Sequence, residues 1–237
     1  ELFWMKEYQR QTWPDHLATL QFRQGEHILV SGPTSAGKTT LVRGPIEKRG
    51  HVVALFTKLK DPTISNDYKG YKRFDRWPKH GFKPSETRVM IWPTPEKKMR
   101  DTIAKQKAIM HDALDAIARD GSWCVMIDEM LYMTEPRYLN LGQQIGMLHF
   151  YGRSSGVSCV ALAQRPFNIP RIVLSSATHA YFARTYDSGD AKRLSELGSM
   201  DAREITYNMR HSITDRHDFL YLNPQGDAES RVVNTRK

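Results

Sequence analysis

The chain has 237 residues, a formal net charge of +9 and 40% hydrophobic residues, which excludes an intrinsically disordered protein. No apolar run approaches the roughly 20 residues that cross a bilayer, and the first residues lack the regions of a signal peptide. We therefore expect a cytoplasmic protein with no membrane partner, and the positive charge favours a polyanionic partner.

Apolar runs and helical periodicity alternate along the chain. Strands are predicted at 27–32, 51–57, 88–92, 123–128, 157–164 and 179–185, and late strands at 218–222 and 231–234 could pair as an edge hairpin. Helices are predicted at 39–48, 96–119, 137–151, 191–197 and 202–210. This alternation predicts an α/β fold with a mostly parallel sheet flanked by helices. We expect a single domain over 1–237, with an N-terminal extension at 1–24 and a basic, aromatic insertion at 58–86 that has no strong periodicity.

The segment after the first predicted strand fits the phosphate-binding pattern G-x-x-x-x-G-K-[ST]. The candidate nucleotide-binding residues are Gly32, Pro33, Thr34, Ser35, Ala36, Gly37, Lys38, Thr39 and Thr40. The segment opens a helix, so backbone N–H groups and a helix N-terminus would point at a polyphosphate. Lys38 is predicted to reach the β- and γ-phosphates, and Thr39 to ligate Mg²⁺. The alternative is a glycine-rich turn that binds nothing.

Two adjacent acids, Asp128 and Glu129, end the apolar strand predicted at 123–128. Ligands bind at the carboxyl ends of parallel strands, so Asp128 is predicted to hold Mg²⁺ and Glu129 to be the general base for an attacking water. Solvated acids at an ordinary strand end are the alternative. The next strand ends at Gln164, which is predicted to emerge beside Asp128 and to sense the γ-phosphate or orient water.

Arg153 is predicted to lie at a helix end on the flank of the domain. This position suits an arginine donated to the active site of a neighbouring subunit. The alternative is a C-terminal arginine that interacts only with the helix dipole.

A basic segment at 58–83 contains eight lysines and arginines and three aspartates. The aromatic residues between these charges are Tyr68, Tyr71, Phe74, Trp77 and Phe82. Cations mixed with aromatic rings suit a nucleic-acid backbone with stacked or wedged bases. The predicted DNA contacts are Lys69, Lys72, Arg73 and Arg76. A solvated insertion with its own aromatic cluster is an equal alternative.

The two cysteines, Cys124 and Cys159, fall in apolar strand-like runs. They are predicted to be buried and reduced, forming neither a disulfide nor a metal site.

The order of these motifs resembles that of the FtsK–HerA superfamily of DNA-pumping ATPases, whose relatives include viral genome-packaging motors. The resemblance covers about residues 25–198 and rests on the phosphate loop, the acid pair, the run Gly-Arg-Ser-Ser-Gly-Val at 152–157 and the run Ala-Gln-Arg-Pro at 163–166. The 25-residue step from Asp128 to Arg153 is similar to the family's step from the acid to the arginine that acts on a neighbouring subunit.

The resemblance implies a RecA-like P-loop domain that hydrolyses ATP with Mg²⁺ and translocates double-stranded DNA. It further implies a pentameric or hexameric ring, a capsid vertex or portal component as a partner, and a location in the host cytoplasm or at the capsid. Arg153 would be the trans-acting arginine, and Arg165 and Arg184 are the alternative candidates for that role. The family's winged-helix region, membrane segment and N-terminal barrel have no counterpart in the sequence, so we expect a minimal motor core.

Three alternatives stay open: a plasmid or conjugative DNA-pumping ATPase, a nucleotide-dependent switch or assembly ATPase that does not move DNA, and a small-molecule kinase. The acid pair favours attack by water over transfer to a substrate hydroxyl.

Overall fold

The computed structural model describes residues 7–185, 187–194, 196–197, 201–225 and 229–236. The strands in this part of the chain are β1 (Arg10–Thr12), β2 (Ile28–Ser31), β3 (Val52–Leu55), β4 (Lys72–Phe74), β5 (Arg88–Ile91), β6 (Cys124–Ile127), β7 (Ser158–Ala163), β8 (His179–Ala183), β9 (Asp218–Leu222) and β10 (Arg231–Asn234). The helices are α1 (Trp13–Thr19), α2 (Lys38–Glu47), α3 (Pro62–Asp67), α4 (Met99–Asp120), α5 (Met130–Thr134), α6 (Gly142–Ser155), α7 (Arg171–Ser176), α8 (Ser188–Leu194) and α9 (Ala202–His211).

All ten strands form one sheet in the order β1-β10-β9-β8-β2-β7-β6-β3-β5-β4. The pairings are parallel except those of β9, which runs antiparallel to β8 and to β10. The carboxyl ends of β2, β3, β6 and β7 therefore meet at one edge, which we call the carboxyl edge of the sheet; the opposite one is the amino edge.

Both faces of the central strands are buried, which explains their continuous apolar sequences. Successive residues of β2 point to opposite faces: Leu29 belongs to one core cluster, whereas Ile28 and Val30 belong to the other. The long helix α4 packs with α6 on the first face, and α2 covers the second. Cys124 and Cys159 are free and buried, as predicted. Within the described ranges no helix is both long and apolar enough to cross a membrane.

The predicted α/β class and all eight predicted strands are confirmed. The late strands do pair, but their predicted edge position is wrong because β1 adds in parallel to β10. The helix predicted at 137–151 begins only at Gly142: Tyr138 closes a turn on Glu135, and Asn140 has a positive φ of 54°. Residues 1–6 of the predicted extension and Ser195 of the helix predicted at 191–197 lie outside the described residues.

Candidate nucleotide site

The predicted phosphate loop connects β2 to α2 at the carboxyl edge of the sheet. Gly37 precedes the first residue of α2 and has a φ of 97°, a conformation that favours glycine. Gly32 must also lack a side chain, because a Cβ there would lie 2.5 Å from Cβ of Ala183 on β8. The two glycines of the pattern thus fix a tight turn against the neighbouring strand, with the N-terminus of a ten-residue helix behind it.

The Lys38 side chain folds back over this loop. Its ammonium donates to the carbonyl oxygens of Gly32 at 2.6 Å and Pro33 at 3.0 Å. Burial lowers the pKa of Lys38, and the negative charges of Glu129 and Asp128 oppose that shift. The cation is therefore held above the loop by weak acceptors that phosphate oxygens can replace.

The acid pair follows β6 at the same edge and is partly desolvated. Asp128 is only 7% exposed, and burial raises the pKa of both carboxyl groups. Oε2 of Glu129 accepts a hydrogen bond from Nε2 of Gln164 at 2.8 Å, and its Oε1 is buried without a hydrogen-bond partner in the described part of the chain. Gln164 thus orients Glu129 and leaves one carboxylate oxygen available to a water. A raised pKa brings a carboxylate closer to the range in which it accepts a proton at neutral pH.

Lys58 is a site residue whose position the sequence did not reveal. It lies three residues beyond β3, the strand beside β6, and its Nζ is 3.3 Å from Oδ2 of Asp128 and 3.0 Å from Oδ2 of Asp61. Burial lowers the pKa of Lys58, but the carboxylates of Asp128 and Asp61 outweigh it, so the net shift is upward. A positive charge therefore already lies at the acid that we predicted to bind a cation.

These groups line one cleft of about 590 Å³, large enough for a nucleotide. Thr39 and Asp128 both face it, and a hydroxyl with a carboxylate suits Mg²⁺, which prefers oxygen ligands. The Lys58 ammonium beside Asp128 shows that this position accepts a cation. The residues present therefore fit a magnesium ion bound with a polyphosphate.

Replacement of Lys58 by methionine is expected to strengthen binding of Mg²⁺ with nucleotide, because the ion would no longer compete with an ammonium for Asp128. We expect the Mg²⁺ concentration for half-maximal binding of a fluorescent ATP analogue to fall about tenfold, equivalent to about 1.4 kcal/mol. Lys60→Met removes a neighbouring exposed charge and serves as the control. An unchanged or higher Mg²⁺ requirement in Lys58→Met would show that the Lys58–Asp128 pair does not occupy the metal position.

The β9–β10 hairpin contributes a further wall of the cleft that sequence reasoning missed. His217, Thr235 and Arg236 line it. Nδ1 of His217 lies 3.3 Å from the carbonyl oxygen of Ala36, and the Thr235 amide donates to the His217 carbonyl at 3.1 Å. The contact between His217 and Ala36 spans 181 residues of sequence, so no local pattern signals it.

Arg153 lies far from this cleft, in the last turn of α6 at the amino edge of the sheet. Its Cα packs against Gly25: a Cβ on that glycine would be 2.9 Å away. Gly25 lies before β2 and Gly32 after it, so the four residues of β2, at about 3.3 Å each, separate Arg153 from the phosphate loop by about 13 Å. Arg153 cannot act on the nucleotide of its own subunit in this conformation. The other two candidates for the trans-acting arginine make different contacts. Arg165 pairs with Asp187 at 2.6 Å, and Arg184 donates to the Arg210 carbonyl at 2.9 Å.

The segment at 58–86 is more ordered than its sequence suggested, since it contains α3 and β4. Its aromatic rings pack inward: Tyr68 and Trp77 are buried, and Phe82 contacts Trp77 and Trp123 with ring centroids 4.6 and 5.4 Å apart. The expectation that these rings stack on or wedge between DNA bases is therefore wrong, because the rings complete the hydrophobic core.

The four predicted DNA-contact residues of this segment, Lys69, Lys72, Arg73 and Arg76, are all exposed. Lys72 pairs with Glu86 at 2.5 Å, and Arg73 lies over the ring of Trp92 at 4.6 Å. The segment therefore presents a basic surface without exposed aromatic rings.

Comparisons with known structures identify the fold. The genome-packaging NTPase B204 from Sulfolobus turreted icosahedral virus 2, in complex with sulfate, superposes with a TM-score of 0.61 at 13% identity, covering 90% of this chain and 98% of that one. The same protein in complex with AMPPCP gives a TM-score of 0.58 at 14% identity, covering 87% and 96%. The cytoplasmic domain of the type VII secretion ATPase EccC from Thermomonospora curvata gives 0.53 at 12% identity, covering 91% of this chain and 26% of that one.

Comparison with protein-family models and with curated protein sequences gives no match. The structural likeness nevertheless confirms the predicted P-loop NTPase fold, which this chain shares over most of its length with a viral packaging NTPase and a secretion ATPase.

Proposed function

We propose that this protein is a P-loop ATPase of the FtsK–HerA superfamily that translocates double-stranded DNA. One observation carries the enzymatic part: a single cleft contains the loop lysine Lys38, the acid pair Asp128–Glu129 and the amide of Gln164. The phosphate loop, the acids and the amide follow three adjacent strands, β2, β6 and β7, in an arrangement suited to ATP hydrolysis.

In the proposed reaction, the loop N–H groups and Lys38 hold the β- and γ-phosphates. Bound Mg²⁺, held by Thr39 and Asp128, would supply charge neutralisation at the phosphate oxygens. Glu129 accepts a proton from water as the water oxygen bonds to the γ-phosphorus and the bond to the β–γ bridging oxygen breaks, yielding ADP and phosphate. Gln164 keeps Glu129 in place through the 2.8 Å hydrogen bond.

Three observations support DNA translocation by an assembly of subunits. The fold is that of a genome-packaging NTPase, the chain carries a net charge of +9, and Arg153 lies too far from the phosphate loop to act within its own subunit. We propose a ring of five or six subunits that moves DNA into a viral capsid, docked on a capsid vertex or portal component, in the host cytoplasm or at the capsid.

The experiment that tests this function is an ATPase assay with and without linear duplex DNA, combined with the oligomeric mass of the same preparation. A motor is expected to hydrolyse ATP faster with DNA and to have the mass of a ring. Hydrolysis that DNA does not stimulate would favour the nucleotide-dependent switch, and an absence of hydrolysis would refute the proposal.

Neutralising Lys69, Lys72, Arg73 and Arg76 with glutamine is expected to weaken duplex binding, because each lost phosphate contact reduces counterion release. The slope of log K against log salt should flatten by about one unit per lost contact, with little sequence preference. Fluorescence anisotropy over a salt series measures both the affinity for the duplex and its salt dependence.

The matched control for this experiment removes four charges from another exposed surface, with Lys97, Lys98, Arg100 and Lys107 replaced by glutamine. If the two variants have the same slope of log K against log salt, the weaker duplex binding results from the lower net charge, and the DNA site lies outside the segment at 58–86.

A further inference from the structure

One wall of the cleft that contains the phosphate loop takes no part in the proposed reaction. It is formed by the two ends of the β9–β10 hairpin: His217 precedes β9, and Thr235 and Arg236 follow β10. We call these three residues the hairpin wall. The wall touches the phosphate loop, since a Cβ on Gly37 would lie 3.1 Å from Oγ1 of Thr235 and 3.3 Å from Nδ1 of His217.

The imidazole of His217 joins the hairpin wall to the phosphate loop in one defined protonation state. Nε of Arg216 donates to Nε2 of His217 at 2.9 Å. A guanidinium nitrogen only donates, so Nε2 is the acceptor and the proton of the neutral ring is on Nδ1. Nδ1 lies 3.3 Å from the carbonyl oxygen of Ala36, and His217 is only 6% exposed. His217 therefore holds the hairpin against the loop.

A buried carboxylate fixes the turn that carries Arg236. The backbone amide of Arg236 donates to Oδ1 of Asn234 at 2.9 Å, and Nδ2 of Asn234 donates to Oδ1 of Asp218 at 2.8 Å. Asp218 is fully buried and also pairs with Arg10 at 2.6 Å. The backbone at Arg236 is therefore fixed before a ligand binds, which reduces the conformational entropy lost on binding.

Arg236 is a cation of the cleft that forms no ion pair within the described residues, and its side chain is exposed. The other two cations already have oxygen partners. The ammonium of Lys38 donates to the loop carbonyls, and that of Lys58 lies beside Asp128 and Asp61. The guanidinium of Arg236 is therefore available to an anionic ligand.

The order of the strands sets the direction in which a nucleotide lies. Glu129 and Gln164 follow β6 and β7 on one side of β2, whereas the hairpin wall belongs to β9 and β10 on the other side. Attack by a water on Glu129 requires the γ-phosphate to lie there, so the α-phosphate and the nucleoside extend towards the hairpin wall. The wall formed by α3 is less suitable, because it carries Asp61 and Asp67, which repel phosphate.

We propose that Arg236 binds the α-phosphate of the nucleotide, while the phosphate loop and Lys38 hold the β- and γ-phosphates. This assignment rests on the proposed nucleotide site and adds a binding residue to it. A guanidinium forms two parallel, charge-assisted hydrogen bonds to a phosphate, which an ammonium does not. The nucleoside end of the ligand is thereby assigned to the β9–β10 hairpin.

Competition against a fluorescent ATP analogue, with the full chain and Mg²⁺, tests the inference without requiring hydrolysis. The competitors are ATP, ADP, AMP and adenosine, and the affinity of the analogue itself is measured for each variant. Arg236→Gln should weaken binding of ATP, ADP and AMP about tenfold each, as expected for loss of a charge-assisted hydrogen bond, and leave adenosine binding unchanged. Arg236→Lys retains the charge and should recover part of the lost affinity.

Lys38→Ala gives the contrasting pattern. It should weaken binding of ATP and ADP but not of AMP, which lacks the β- and γ-phosphates. Arg100→Gln, at the exposed start of α4, controls for the loss of one positive charge. Thermal melts verify folding, which Arg236→Gln should preserve because the Arg236 side chain is exposed.

An AMP affinity of Arg236→Gln equal to that of Arg100→Gln would overturn the inference. Weaker adenosine binding by Arg236→Gln would also overturn it, because Arg236 would then contact the base or the ribose. A wild type that binds no nucleotide would overturn both the inference and the proposed function. A wild type whose nucleotide affinity depends on Arg236 but that hydrolyses no ATP would refute the ATPase proposal and support the inference.

Discussion

Replacing Lys38 by alanine is expected to abolish ATP hydrolysis. Lys38 carries the loop's only positive side chain. It lies directly over the loop, and among the described residues its ammonium bonds the carbonyls of Gly32 and Pro33 alone. Loss of one preorganised donor to transition-state charge typically costs about 10²–10³-fold in kcat, and loss of a full charge should cost at least as much. A steady-state phosphate-release assay measures the effect.

Folding of Lys38→Ala should be unaffected, because the side chain packs on a surface loop and belongs to neither core cluster. Lys60→Ala removes an exposed lysine from the neighbouring segment and is expected to hydrolyse ATP at the wild-type rate. Wild-type turnover by a correctly folded Lys38→Ala protein would contradict the assignment of the phosphate loop and, with it, the proposed function.

The sequence predicted the parts of the structure that short-range physics determines. Apolar runs such as 124–127 reveal a strand buried on both faces of a parallel sheet, and the spacing of Gly32 and Gly37 reveals a turn that only small residues can make. Because parallel strands end at the same edge of the sheet, it follows that Asp128, Glu129 and Gln164 emerge at that edge, as the structure shows. Their catalytic roles remain predictions.

The remaining features depend on long-range pairing that no local pattern reveals. Lys58 reaches Asp128 only because β3 pairs with β6, and Thr235 reaches the phosphate loop only because β10 folds back along β9. For the same reason the sequence left the aromatic residues of the basic segment undecided between DNA contacts and an aromatic cluster. Trp77 is buried because it packs near Trp123, almost fifty residues later, with ring centroids 5.6 Å apart. Short elements such as β4, with three residues, are too short to show a periodic pattern of apolar and polar residues.

Glu129→Gln is expected to bind Mg·ATP but to hydrolyse it far more slowly, since an amide does not accept the proton of the attacking water. The substitution preserves shape, and a glutamine at this position can still accept the hydrogen bond from Gln164 through its own amide oxygen. Asp128→Asn is expected instead to raise the Mg²⁺ requirement for nucleotide binding. Normal turnover by Glu129→Gln would show that another group is the base.

The largest effect of a residue outside the cleft is expected for Arg153→Ala, which should retain ATP binding and lose most DNA-stimulated turnover. An arginine supplied in trans stabilises charge on the transferred phosphoryl group and is worth about 10³–10⁵ in rate where it is established. Arg153 lies at the amino edge of the sheet, away from its own phosphate loop, and its guanidinium is bonded only to Gln225 among the described contacts, which is why we propose that it acts on the nucleotide of a neighbour.

Mixing Arg153→Ala with Glu129→Gln subunits separates action in trans from a structural role. Each variant alone is expected to be nearly inactive, but mixed rings contain interfaces with an intact Glu129 on one subunit and an intact Arg153 on the other. Partial recovery of ATPase activity would support the trans assignment. Titration of wild-type protein with Glu129→Gln subunits measures how many inactive sites a ring tolerates. This tolerance gives the ATPase activity to expect from the mixture of the two variants. If the mixture recovers less ATPase activity than expected, with mixing verified by mass, the trans assignment of Arg153 is contradicted, because a trans arginine must function whenever such an interface closes around a nucleotide.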